Sequence, residues 1–107
     1  MKELEVLFET AKERKANPQP GSYTSYLFEK GTTKILKKLS EECSEVVIAA
    51  LAQSKEEKIG EMADLLYHLV VLMADQDIDI NEVNAELEKR SAKTGNLKAE
   101  RKPIENL

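Results

Sequence analysis

The stretch from Ile59 to Asp75 limits this chain's folds more than any other. Set at 100° intervals around a helix, Ile59, Met62, Ala63, Leu65, Leu66, Leu69, Val70, Leu72 and Met73 cover more than half the circumference. Glu61, Asp64, His68 and Asp75 gather in one narrow stripe opposite, with Val71 at its edge. A helix apolar over so much of its surface is normally buried. Its polar stripe then faces either solvent or a wet internal cleft.

A second helical stretch, from Lys38 to Val47, has a matching feature. Glu42 and Glu45 stand three residues apart, as do Glu61 and Asp64. Residues at that spacing share a helix face with Cβ atoms ~5–6 Å apart, so each pair is mildly destabilising on an isolated helix. Ile35, Leu39, Cys43, Val46 and Ala50 are expected to form the packing face, with Lys38, Glu42 and Glu45 along its flank. Acids beside a packing face can meet acids of a neighbouring helix. Charges ~4 Å apart repel by about 4 kcal/mol at an effective dielectric of 20, and a bound cation is the usual compensation. Oxygen ligands without Cys or paired His point to a hard ion, Mg²⁺ or Mn²⁺. The competing reading is that all four acids are simply solvated, as such pairs commonly are on exposed helices.

Read in order, the chain predicts an antiparallel bundle of four to five helices. The first covers residues 2–15, with Leu4, Leu7, Phe8 and Ala11 as its apolar stripe. Asn17-Pro18-Gln19-Pro20-Gly21 ends it. A short helical turn through Tyr26, Leu27 and Phe28 follows, and Leu27 and Phe28 staple this loop to the core. Gly31 interrupts, and Thr32 or Thr33 caps a helix to about Leu51. Ser54 with Glu57 forms a capping box for a helix to about Gln76. Asp79 with Glu82 repeats the signal for a helix over 80–92, with Val83 and Leu87 inward. Short connections make successive helices antiparallel neighbours, so the two acid-bearing helices lie side by side. Val46-Val47-Ile48 and the crowded apolar residues of 65–73 exceed what one small bundle buries, which predicts a homodimer.

Composition narrows the function. At 107 residues the chain is one domain over 1–92 with a basic tail over 93–107. The net charge of −4 argues against a nucleic-acid binder. No apolar run is long enough to span a membrane. Met1 to Glu5 is acidic and lacks a signal peptide's apolar core, so a cytoplasmic location is expected. The single Cys43 reads as a small core residue and not a nucleophile. Glycine-rich phosphate loops, G-x-S-x-G and Cys/His zinc patterns are missing from the sequence. Lys30, Lys34, Lys37 and Lys38 form one basic cluster, and Lys89, Arg90, Lys93, Lys98, Arg101 and Lys102 a second. Phosphate binding is the sharper reading of both clusters, and a solvated tail the blander one for the second.

Glu42-x-x-Glu45, fifteen residues, then Glu61-x-x-Asp64 resembles the E-x-x-E…E-x-x-D signature of the all-α nucleoside triphosphate pyrophosphohydrolases. Arg14-Lys15-Ala16-Asn17-Pro18, Gly21-Ser22-Tyr23-Thr24, Leu27-Phe28-Glu29-Lys30-Gly31, Lys34-Ile35-Leu36-Lys37-Lys38, Glu45-Val46-Val47-Ile48-Ala49-Ala50 and Ala63-Asp64-Leu65-Leu66-Tyr67-His68-Leu69 are similar to one branch of it. That branch is the phosphoribosyl-ATP pyrophosphatases of histidine biosynthesis. Cys43-Ser44 departs from the family's usual Ala-Thr, with residues equally small. The resemblance implies the second step of histidine synthesis, in which phosphoribosyl-ATP and water give phosphoribosyl-AMP and pyrophosphate. It also implies Mg²⁺ and a homodimer with a jointly formed core. In many organisms the activity is fused to the phosphoribosyl-AMP cyclohydrolase of the next step, and this chain is too short to hold that domain.

On this reading Glu42, Glu45, Glu61 and Asp64 hold one or two Mg²⁺ ions, which bind the polyphosphate and lower the pKa of an attacking water. Glu41, Glu42 and Glu45 are the candidate catalytic carboxylates, with Glu41 or Glu45 available to take the proton. Lys34, Lys38, Arg90 and Lys93 are candidate phosphate contacts. The loop from Arg14 to Tyr23 is expected to close over the nucleotide. His68, one turn after Asp64, either bonds the metal shell or substrate or is a satisfied histidine at a packing edge. Two rivals stand beside this reading. One is a house-cleaning pyrophosphohydrolase for dNTPs or modified nucleotides, and the other is a non-catalytic helical dimerisation module.

Overall fold

The computed structural model describes residues 1–93, and the basic segment 94–107 lies outside the described residues. Five helices follow one another: α1 (Lys2–Ala16), α2 (Tyr23–Lys30), α3 (Thr32–Ala52), α4 (Lys55–Asp75) and α5 (Ile80–Ser91). There is no strand among the described residues, so the expected all-α architecture holds. The most extensive packing joins α3 to α4, and α1 also lies against α4.

Local chemistry sets most of the boundaries. Ser54 and Glu57 cap α4 reciprocally, through backbone-to-side-chain bonds of 3.1 and 3.2 Å. Asp79 and Glu82 do the same for α5. Ser22 caps α2 by accepting from the backbone N–H of Ser25, so this helix is longer than the expected turn at Tyr26–Phe28. The expected threonine cap of α3 does not form. Gly31 occupies the cap position with φ of 92°, a left-handed value that glycine adopts without Cβ strain. Thr32 instead donates to the Asp75 carboxylate at 2.8 Å and ties the start of α3 to the end of α4. Lys15 holds that end too, donating to the carbonyls of Ala74 and Asp75 and pairing with Asp77.

Two apolar clusters form the core. Phe8, Ala11, Val70 and Ala74 join α1 to α4, while Leu27, Ile35 and Val71 join α2, α3 and α4. Phe28 packs against both clusters, so Leu27 and Phe28 do staple α2 to the core.

The packing face of α3 differs from expectation. Its buried residues are Ile35, Glu42 and Ala49, spaced seven apart, and Glu42 stands at the centre of the line and not on its flank. Cys43 is consequently exposed, which corrects its assignment to the core. Ala50 is exposed for the same reason. On α4 the buried residues are His68, Val70, Val71 and Ala74. The polar stripe of α4 is graded: His68 is buried, Glu61 and Asp75 are half-buried and Asp64 is exposed, while Ile59, Met62 and Leu69 face out. Leu87 is also exposed, and α5 has no buried residue.

Candidate active site

α3 and α4 run past each other with their acids on the shared side. Glu42, Glu45 and Glu61 each offer a carboxylate oxygen, and these oxygens lie within 4.8 Å of one another. Asp64, one turn along α4 from Glu61, lines the same hollow as Glu45 and Glu61. The hollow has a volume of about 580 Å³, and Ile48, Gln53, Glu57 and Gly60 complete its wall.

Glu42 is the member that demands explanation. It is 7% exposed, and its Oε2 is buried without a hydrogen-bond partner among the described residues. Leaving a buried acceptor unmet costs about 1–3 kcal/mol, and more when it is charged. Burial raises the Glu42 pKa above the usual carboxylate value, and the neighbouring Glu45 and Asp64 raise it further, while Lys38 opposes them. Glu61 is raised too, chiefly by the hydrogen-bonding approach of the Glu45 carboxyl and then by desolvation. A divalent cation would supply what this arrangement lacks: a partner for the orphaned oxygen and a counter-charge for the repelling acids. The all-oxygen donor set suits a hard ion.

Behind Asp64 runs a line of aromatic groups. Nδ1 of His68 lies 2.8 Å from the Asp64 carbonyl oxygen, one turn back on α4. A carbonyl only accepts, so Nδ1 carries the proton, and in the neutral ring Nε2 accepts from the Tyr23 hydroxyl at 3.0 Å. His68 is thus a buried histidine with both nitrogens engaged inside the chain. Tyr67 presents its hydroxyl to Thr24 of α2 and stacks near-parallel with Tyr23. The hydroxyl pKa values of Tyr23 and Tyr67 are both pushed up, first of all by burial.

Residues 1–91 match the family described as phosphoribosyl-ATP pyrophosphohydrolase. The chain belongs to the phosphoribosyl-ATP pyrophosphohydrolase family. Among its relatives, a phosphoribosyl-ATP pyrophosphatase of Clostridium botulinum (strain Kyoto / Type A2) is 52% identical over 104 residues, covering 97% of this chain and 94% of that one. A protein of the same name from Clostridium novyi (strain NT) is 46% identical over the same shares. Another, from Bacillus thuringiensis (strain Al Hakam), is 48% identical over 97% of this chain and 96% of its own.

Within this pyrophosphohydrolase chain the remaining expected residues divide clearly. Glu41 is outside the carboxylate trio and pairs with Lys38 at 3.3 Å. That contact is the main cause of a raised Lys38 pKa, and Tyr23 adds to it. Lys38 and Tyr23 both lie close enough to Glu42 to share its field. Lys34 stands over the ring of Tyr26. Arg14 sits in the last turn of α1. Arg90 pairs with Glu86 on α5 at 3.0 Å, and the charge of Lys93 is also felt by Glu86. Sequence reasoning named Tyr26 and Tyr67 but gave neither a place in the site. Tyr67 lies three residues after Asp64 on the same helix, and that spacing is the signal that would have found it.

Proposed function

We propose that this chain hydrolyses phosphoribosyl-ATP to phosphoribosyl-AMP and pyrophosphate, the second step of histidine biosynthesis, with Mg²⁺ as its cofactor. The observation that carries the reading is the orphaned Glu42 oxygen beside Glu45 and Glu61, in a chain about half identical to proteins of that name. Glu42, Glu45 and Glu61 hold the ion, and Asp64 completes the set from the wall of the hollow. When bound, the ion neutralises polyphosphate charge and lowers the pKa of a water positioned for attack between the α- and β-phosphates. Lys38 lies beside Glu42 and supplies a cation to the phosphates. Glu45 is the carboxylate best placed to accept the water's proton, since it faces the open hollow while Glu42 is buried. His68 holds Tyr23 by its hydroxyl and thereby sets the aromatic wall beside the acids.

A homodimer belongs to the same proposal. Val47, Ile48 and Leu51 at the end of α3, with Ile59 and Met62 at the start of α4, are all exposed in the single chain. They flank the acid hollow, and a second copy covering them would also exclude water from the site. The cyclohydrolase that consumes phosphoribosyl-AMP is the functional partner in the pathway.

Pyrophosphate release from phosphoribosyl-ATP, with Mg²⁺ and with EDTA, is the deciding experiment. Release that needs the metal, and that exceeds release from each member of a dNTP panel, is the expected result. Preference for a dNTP would overturn the substrate, and metal-independent release would overturn the role of the acids.

A further inference from the structure

One group of side chains has no part in the metal chemistry. Tyr26, Tyr23 and Tyr67 form a ladder, with centroids 6.1 Å apart for the first pair and 6.0 Å for the second, and interplanar angles of 24° and 26°. The inner end reaches the metal-bearing helix through Tyr67 and through the bond from Tyr23 to His68. The outer end, Tyr26, is 39% exposed and carries two cations. Lys30 stands 5.7 Å from its ring centroid and Lys34 6.0 Å, and among the described residues neither has a carboxylate within ion-pair reach. Two unpaired ammonium groups held over one ring repel each other, and an anion between them relieves that repulsion.

The spacing argues that this anion is not part of the triphosphate. Lys34, Lys38, Glu42 and Glu45 lie within one narrow sector of α3, so the ridge passes from cations to acids along its length. Eight residues separate Lys34 from Glu42, about 12 Å of helix. A phosphate held at Glu42 leaves Lys34 out of its reach, and Lys38 in between serves it instead. The interval is walled by Tyr23 and Tyr26, surfaces suited to a base and sugar. Beside them, under Pro18, Gln19 and Pro20, opens a cavity of about 800 Å³.

We propose that Lys30 and Lys34, braced on Tyr26, form a second anion site that takes the phosphate monoester at the far end of a doubly phosphorylated nucleotide. The proposal rests on the reading of the substrate as phosphoribosyl-ATP, whose second ribose ends in such a group. The site then works as a ruler. Nucleoside triphosphates lacking the second phosphate reach the acids but leave the lysine pair empty, and they lose the affinity it provides.

Equilibrium binding of phosphoribosyl-AMP in EDTA tests this without turnover or metal. The ligands are phosphoribosyl-AMP and the same molecule after enzymatic removal of its ribose 5-phosphate, and the proteins are wild type and a Lys30→Gln/Lys34→Gln double variant. Lys30 is exposed and Lys34 half-buried, and a thermal melt checks that the variant folds. Wild type is expected to lose about tenfold or more in affinity when the ligand loses that phosphate. The double variant is expected to bind both ligands equally weakly, and Lys30→Arg/Lys34→Arg to restore the preference. An equal preference for the phosphorylated ligand in wild type and the Gln variant would overturn the site. A wild type that binds the ligand and releases pyrophosphate from phosphoribosyl-ATP, yet ignores the phosphate, would also overturn the site while leaving the activity standing. Wild type that neither binds nor hydrolyses its ligand would overturn the activity itself, and the site with it.

Discussion

The two halves of α4 are built on opposite plans. The C-terminal half buries His68, Val70, Val71 and Ala74 against α1, α2 and α3, and its polar groups are bonded, down to both nitrogens of His68. The N-terminal half, from Ile59 to Asp64, leaves Ile59 and Met62 exposed and sets Glu61 and Asp64 on the hollow shared with α3, where the facing Glu42 has an oxygen without a partner among the described residues. The first half is a finished core. The second is the half that the proposed cation between the helices and the proposed second copy over the apolar exterior would complete. Local inconsistencies of this kind mark functional sites more often than folding errors. The difference teaches that one continuous helix can serve as scaffold and as site, with the change of role falling between Asp64 and His68.

The largest effects should come from the unfinished half and spare folding. Glu42→Gln and Asp64→Asn are each expected to lower pyrophosphate release by about a thousandfold, because each removes a charge from the metal set. Their circular dichroism spectra and melting cooperativity should match wild type. A near-normal rate in either variant would show that the two halves do not differ in role.

The finished half should respond in the opposite sense. Leu27→Ala or Ile35→Ala empties part of a fully buried cluster, and each is expected to cost about 2–5 kcal/mol in urea unfolding. The rise in melting temperature on adding Mg²⁺ should survive in both. Conversely, Mg²⁺ at a hundred times its dissociation constant should stabilise wild type by about 2.7 kcal/mol, and Asp64→Asn by much less. Core variants that lose the metal response would mean the halves are one cooperative unit.

These same regions differed in how much the sequence could disclose. Caps are local chemistry, so Ser54 with Glu57 and Asp79 with Glu82 were legible from spacing alone. The threonine cap of α3 was not, because Thr32 has a distant partner, Asp75. Hydrophobic periodicity placed α1 well, since its stripe is apolar throughout. It misplaced α3 by one position, putting Cys43 inward, because the true packing line runs through an acid. A reading that ranks positions by hydrophobicity pushes Glu42 outward for the same charge that the proposed metal site uses. On α4 the pattern was apolar almost all round, so it could not separate the face that packs within the chain from the one left outside. The acid pairs were visible as spacing, but their convergence is tertiary, as is the tyrosine ladder joining α2 to α4.

The smallest effect isolates the strain in the unfinished half. Glu42 and Glu61 both have pKa values raised in the fold above their ordinary values. A raised carboxylate binds its proton more readily in the folded state than in the unfolded one, so the related stability is present below the ordinary carboxylate range and fades as pH climbs through the raised value. Metal-free protein should therefore be less stable at neutral pH than at mildly acidic pH. Glu42→Gln removes the buried charge while keeping its shape, and in EDTA at neutral pH it should be more stable than wild type by about 1 kcal/mol. The gain should shrink as pH falls into the carboxylate range and reverse when Mg²⁺ is supplied, because only the charged residue holds the ion. A Glu42→Gln protein that melts below wild type in EDTA at neutral pH would mean that the buried oxygen carries no strain, and that the acids of α4 border a site as complete as the core beside it.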